Sequence, residues 1–269
     1  MILRRGVLLL PAAAFGIGCM AWIEKCTSVA TCAGVPNDQW VPLVLAAAIL
    51  TAGILLGVCS TRAGYLLWRT HARLARFETV TPAAKLRVAM KSAEVNDVRC
   101  LDAAEPLAFC SGALRPRIFI STGLQLVLTG PELEAVLRHE EHHRRCRHPL
   151  LRALLVGSAD VMFFLPVVGW LAERLLDDAE LAADRAAIQR LGQQTVAAAL
   201  WRVGSPVIPA PRQAIGFDGA AELRAAQLLG ESLPPRRPAA RQWIQSLVGV
   251  LIALELSLCA SSAVVSLMP

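Results

Sequence analysis

Apolar residues gather in three long blocks of this chain: Gly6 to Ile23, Val41 to Ser60 and Ile244 to Met268. Each is long enough to cross a bilayer, which takes about 20 apolar residues in a helix. A short polar loop, Glu24 to Trp40, separates the first two. The stretch Glu231 to Arg241 holds three Pro and three Arg and reads as a linker leading to the third. A cleaved leader is the rival reading for the first block. Gly16-Ile-Gly-Cys19 resembles a lipoprotein cleavage site, but Gly16 lacks the aliphatic side chain wanted there, so an uncleaved span is expected.

Between the second and third blocks the pattern shortens. Leu107-Ala-Phe-Cys-Ser111 and Arg117-Ile-Phe-Ile-Ser121 flank a turn at Leu114-Arg-Pro116 and predict a hairpin. Its edge offers a place for an extended peptide to add as a strand, or the hairpin only covers the core. Thr129-Gly-Pro-Glu132 is a helix start, with Thr129 as N-cap and Glu132 as capping-box partner. That helix runs through Leu133, Val136 and Leu137. A second helix is expected over Trp170 to Leu191, a third over Thr195 to Val203, and a fourth from Asp218 to Leu229. Ser205 to Phe217 reads as a loop.

The predicted helix from Thr129 carries His139-Glu140-Glu141-His142-His143. Read as His-Glu-x-x-His, it puts His139 and His143 on one helical face, where both imidazoles reach one ion. Glu140 stands where a carboxylate touches a water on that ion without ligating it. Glu180-Leu-Ala-Ala-Asp184 supplies a third ligand, Glu180, completing a His₂Glu zinc site with one open position. Asp184, one turn on, is placed to accept a ligand imidazole's free N–H. Asp177 and Asp178 compete with Glu180 for the ligand role, because Asp177 and Glu180 share a helix face. Cys146 stands at no common zinc spacing from His143. The chemistry is that of a zinc endopeptidase with one Zn2+ per chain, Glu140 being its general base. No Tyr or His follows His148, so an oxyanion falls to the zinc or to an Arg such as Arg185.

One segment tests this assignment. Leu150 to Gly169 is apolar, yet it lies between His143 and Glu180. A full crossing would part the ligands by about 30 Å. A helical hairpin over 150–172 is therefore expected, broken at Phe163-Phe-Leu-Pro166, dipping into the membrane or packing on its surface. Asp160 near its tip argues against a plain lipid-facing span. Glu255, within the last block, pairs with a neighbouring group or marks a site.

Composition agrees with this frame. The 269 residues are 55% hydrophobic, too apolar for an ordinary soluble enzyme, with a formal charge of +6. The positive charge does not imply nucleic acid, because no basic stretch is interleaved with aromatics and there is one Tyr. It implies topology instead: Thr61 to Pro149 is dense in Lys and Arg, whereas the loop 24–40 has only Lys25. The N-terminus and the catalytic segment are thus expected in the cytoplasm and the C-terminus outside. Arg62, Arg69, Arg73 and Arg76 fall at the lipid head groups. The eight Cys form no C-x-x-C pair; Cys26 and Cys32 share the external loop and are free to bridge, while Cys100, Cys110 and Cys146 are expected reduced.

Taken together, Cys110 to Leu124, Pro131 to His143, Phe163-Phe-Leu-Pro166 and Asp178 to Ala187 resemble, in order and spacing, the BlaR/MecR-type membrane metallopeptidases. The resemblance covers roughly residues 61 to 230. It implies a mainly α, integral-membrane protein of the bacterial inner membrane, its transmembrane helices framing a gluzincin-like α+β zinc peptidase domain with a small β-hairpin or sheet. It assigns the same roles to His139, His143, Glu180, Glu140 and Asp184. One departure stands out: the family often has Asp where this chain has His148. The chain also ends just after the last block, so no external sensor domain is expected. The expected division is 1–60 for two spans and an external loop, 61–230 for the catalytic domain, 231–243 for the linker and 244–269 for the last span. The expected function is a regulatory protease that cleaves a cytoplasmic repressor, a winged-helix transcriptional repressor being the candidate, or itself. The alternatives are a quality-control protease for membrane proteins and a non-catalytic zinc-binding scaffold. Substrate and oligomeric state are not readable from the residues.

Overall fold

The structure is a computed structural model, and it describes residues 40–204, 217–233 and 236–267. The first predicted span, the external loop with Cys26 and Cys32, and the loop 205–216 lie outside these residues. The described elements are mostly helical with one small sheet. The chain divides into two compact units, one of residues 59–242 and one of the two end segments, 1–58 and 243–269.

In the end segments, helix α1 (Trp40–Leu74) begins in the second apolar block, and α9 (Ala240–Leu267) carries the last. Here Thr51 and Ser257 are joined by a 3.0 Å hydroxyl hydrogen bond. The apolar pattern ends the second block at Ser60, yet α1 runs on for about four more turns. Thr61 to Leu74 contains no Pro, and its Leu and Arg residues are good helix formers. Among the described residues one helix segment, Ala48–Leu74, is long and apolar enough by length and composition to cross a membrane.

The larger unit is built on a four-stranded sheet in the order β1-β2-β4-β3. The strands are β1 (Thr79–Val80), β2 (Val98–Leu101), β3 (Ala108–Ser111) and β4 (Arg117–Ser121). The predicted hairpin is present as antiparallel β3–β4, with Phe109 stacked on Phe119. The sheet goes beyond it because β2 pairs in parallel with β4, setting Val98 beside Ile118 and Cys100 beside Ile120. One face of these strands is covered by α2 (Ala84–Ala93), α3 (Thr122–Val127) and α4 (Gly130–Arg145), whose Leu86, Leu124, Leu133 and Leu137 are buried with Ile118 and Ile120. Burying each such side chain is worth roughly 1.5–3 kcal/mol. This core clamps the start of α4.

After α4 come α5 (His148–Val161), α6 (Pro166–Leu191), α7 (Gln193–Gly204) and α8 (Phe217–Leu229). The expected helical hairpin is α5 and α6, and the break is where Phe163-Phe-Leu-Pro166 puts it, with Pro166 opening α6. The later helix thus starts four residues before the Trp170 read from its pattern. The part of α5 nearest the tip is held to the interior of α1, at Arg62 and Ala63. Gly157 meets the Ala63 backbone, where an added Cβ would sit 3.0 Å from the Ala63 nitrogen. Asp160, whose charge sat oddly in an apolar segment, takes the Arg62 guanidinium at 2.7 Å. At the tip Phe163 is 79% exposed.

Candidate metal centre

Helix α4 begins where the pattern predicts: the Glu132 carboxylate accepts from the Thr129 N–H at 2.7 Å. With Leu133 and Leu137 fixed in the core, the next turns present His139 and His143 along another face, while Glu140, three residues after Leu137, stays on the buried side. Helix α6 crosses α4 there. Ala135 and Ala187 are both buried at this crossing, and small side chains allow the axes to come close. Glu180 and Asp184 are also four residues apart, so each helix turns one face of paired ligand-type groups to the other.

Both Nδ1 atoms are taken up away from the centre. His139 Nδ1 lies 2.9 Å from Asp184 Oδ1, and His143 Nδ1 lies 2.7 Å from His148 Nδ1. Both Nε2 atoms therefore converge, 3.0 Å apart. Glu180 closes the triangle, 3.4 Å from His139 Nε2 and 3.6 Å from His143 Nε2. Donors bound at about 2.0–2.1 Å to a tetrahedral ion stand roughly 3.3 Å apart, and the three separations bracket that value, so the group could hold such an ion. His143 and Glu180 meet although 150–172 separates them, because α5 and α6 fold back on each other.

The charges around the triangle favour a cation. Burial works against a charged His139, yet its hydrogen bonds to Asp184 and Glu180 outweigh that and hold its pKa at about 9. Burial likewise opposes ionised Glu180, but the two imidazoles hold it well below the usual carboxylate range. Glu140 differs: burial raises its pKa, and the imidazoles only partly oppose this. A buried carboxylate with a raised pKa is a better proton acceptor. Edge strand β3 packs on α4 beside it, and burial, with the Glu140 charge adding, pushes the Cys110 thiol up to about 12.

Among the rival carboxylates, Asp177 is buried and paired with Arg236 from the linker. Asp178 faces outward near Arg174. Neither belongs to the triangle. Arg185 is exposed, and its charge acts on His142 rather than among the converging donors. The cation beside the triangle is Arg224 of α8, which no sequence pattern singled out. Its guanidinium donates to both Asp184 oxygens, at 2.6 and 2.8 Å, and lies 3.8 Å from Glu180. The only hint in the sequence was one Arg amid Ala and Leu. His148 fills the place where an Asp was expected. Burial and the facing imidazoles push its pKa down to about 4, so it is a neutral acceptor for His143.

Residues 21–197 match the family model described as BlaR1 peptidase M56. The chain belongs to the BlaR1 peptidase M56 family. It is also similar to a protein named Protease HtpX from Psychrobacter sp. (strain PRwf-1), 34% identical over 103 residues that make up 37% of this chain and 33% of the relative. The chain thus matches a third of that relative's length. No solved structure matches it. The family match ends before Arg224, which lies outside the residues compared.

Proposed function

We propose that this M56 family member is a membrane-embedded zinc endopeptidase with a gluzincin-like site. His139, His143 and Glu180 hold the ion, Glu140 is the general base, and Asp184 orients His139. The observation that carries the reading is the convergence of two Nε2 atoms, 3.0 Å apart, on the Glu180 carboxylate, whose Oε2 lies 3.4 Å from His139 and whose Oε1 lies 3.6 Å from His143, beside a buried Glu140. Zinc, when bound, makes a coordinated water more acidic and polarises the scissile carbonyl. Glu140 takes the proton of the attacking water and hands it to the leaving amine. Asp184 keeps His139 in the tautomer that turns Nε2 inward, and Arg224 keeps Asp184 ionised and in place. Arg224 also replaces Arg185 as the preferred cation for a developing oxyanion. An extended substrate adds along β3, an outer strand of the sheet that packs beside α4.

The placement of this site follows the charge pattern. The 61–230 segment lies on the cytoplasmic side of the bacterial inner membrane, α1 and α9 cross the bilayer, and the apolar tip at Phe163 dips into its surface. The substrate is a cytoplasmic or membrane protein, with a repressor or the chain itself preferred. The test is Glu140→Gln in full-length protein. It retains about one zinc per chain and loses cleavage of a casein-type substrate and of itself. Undiminished cleavage would remove Glu140 from its role. Bound zinc with no cleavage even in the wild type would favour the scaffold alternative.

A further inference from the structure

A second group of soft donors lies against the first. His142, Cys146 and His148 each offer one ligand atom, all within 4.8 Å of one another. None of them belongs to the triangle of His139, His143 and Glu180. His142 and Cys146 are one helical turn apart at the end of α4, with Sγ 3.7 Å from Nε2. A thiolate and an imidazole on one tetrahedral zinc stand roughly 3.6 Å apart. Arg147 then takes φ +53°, the left-handed region, and reverses the chain. This reversal brings the His148 ring to 5.6 Å from that of His142. Cys146 is exposed, so an ion can reach the group from solvent. The neighbouring Arg144 and Arg145 both turn their guanidinium groups onto Glu141, at 2.6 and 2.7 Å. One thiolate with two imidazoles suits Zn2+ or Cu+ and no hard cation.

We propose that His142, Cys146 and His148 form a second, soft-metal site whose occupation weakens the first. The coupling runs through His148 and can be followed proton by proton. With His143 Nε2 turned to the inner ion, its Nδ1 carries a proton and donates to the lone pair of His148 Nδ1. Two nitrogens 2.7 Å apart have room for one proton between them, so His148 Nδ1 accepts there and the proton of its own ring sits on Nε2. An outer ion taking His148 Nδ1 removes that lone pair. An outer ion taking Nε2 moves the proton to Nδ1, and two N–H groups then face each other. Either way His143 loses its acceptor. Loss of such a partner lowers metal affinity by about ten-fold or more. Excess metal therefore inhibits this site through its own residues. The outer site stands without the peptidase reading; only the coupling rests on an ion at His143.

Cobalt separates the two sites, because the inner donors include no thiolate. The full-length chain in detergent is stripped with a chelator and titrated with Co2+. The first equivalent should give visible d–d bands alone. The second should add a near-ultraviolet thiolate-to-cobalt charge-transfer band and change the visible bands of the first. Cys146→Ser and His142→Gln should lose the second equivalent and its band while keeping the first, which shows that they fold. No thiolate band in the wild type, or one that persists in Cys146→Ser, overturns the outer site. A thiolate band that leaves the visible bands of the first ion unchanged overturns the coupling. Loss of the first equivalent in His143→Ala, with the thiolate band retained, would support the outer site independently of the inner one.

Discussion

The two ends of the metal face on α4 are supported in opposite ways. At His139 the Nδ1 proton goes to Asp184, a carboxylate that is itself gripped by both arms of Arg224. At His143 it goes to His148, a neutral imidazole on the next helix. A carboxylate partner makes its imidazole more basic and a stronger ligand, whereas a neutral ring does so less. One half of the centre is therefore locked by charge. The other is held by a ring that has a second use within reach. A metal site need not be uniformly rigid: strength concentrated at one ligand leaves the other open to adjustment.

The largest effect should come from the shared corner. Glu180→Ala removes the donor that both ends meet, and metal analysis should show loss of most bound zinc together with all proteolysis. Glu140→Gln touches neither support and should keep the metal while kcat falls about 10²–10⁴-fold. Arg224→Ala strikes the locked end. It leaves Asp184, which is fully buried, without its cation, and losing one partner of a buried pair costs roughly 3–5 kcal/mol. A lowered unfolding temperature, with zinc affinity reduced about 10–100-fold, would be its signature. His148→Ala strikes the softer end and should cost only about ten-fold in zinc affinity with little change in stability. If His148→Ala proves as damaging as Arg224→Ala, the contrast between the two ends is wrong.

Acidity should sharpen the same contrast. The metal-free His139 pKa is raised to about 9, so below that value a proton occupies the Nε2 that zinc needs. Apparent zinc affinity should therefore rise about ten-fold per pH unit as pH rises towards 9, and level off above it. Asp184→Asn, which removes the main cause of the raised value, should shift that plateau to lower pH. A competition titration with a chromophoric chelator reads both curves.

Much of this centre was legible before any fold was known, because its signals are local. His139 and His143, like Glu180 and Asp184, are i,i+4 pairs, and helical geometry alone puts each pair on one face. Thr129 and Glu132 announced the start of α4, and Pro166 the break in the hairpin. The parallel β2–β4 pairing was not legible. Val98-Arg-Cys-Leu101 alternates too weakly to mark a strand, and its partner lies across the intervening β3. Arg224 escaped for a similar reason: its bond to Asp184 joins residues 40 positions apart and leaves no periodic trace. His148 was noticed as a departure, but whether it broke a contact or replaced one depended on where Arg147 turned the chain.

The sequence by itself determined the helices, the faces they present, the donor types and the family, since these follow from spacing and side-chain chemistry within a turn or two. Only the tertiary structure decided that α5 and α6 return Glu180 to the two imidazoles, that Asp177 goes to Arg236 instead, and which groups stand behind each ligand. The physical reason is range. Periodicity reports the neighbours of a residue along its own helix, but the partner of a buried charge is chosen by packing between elements distant in the chain.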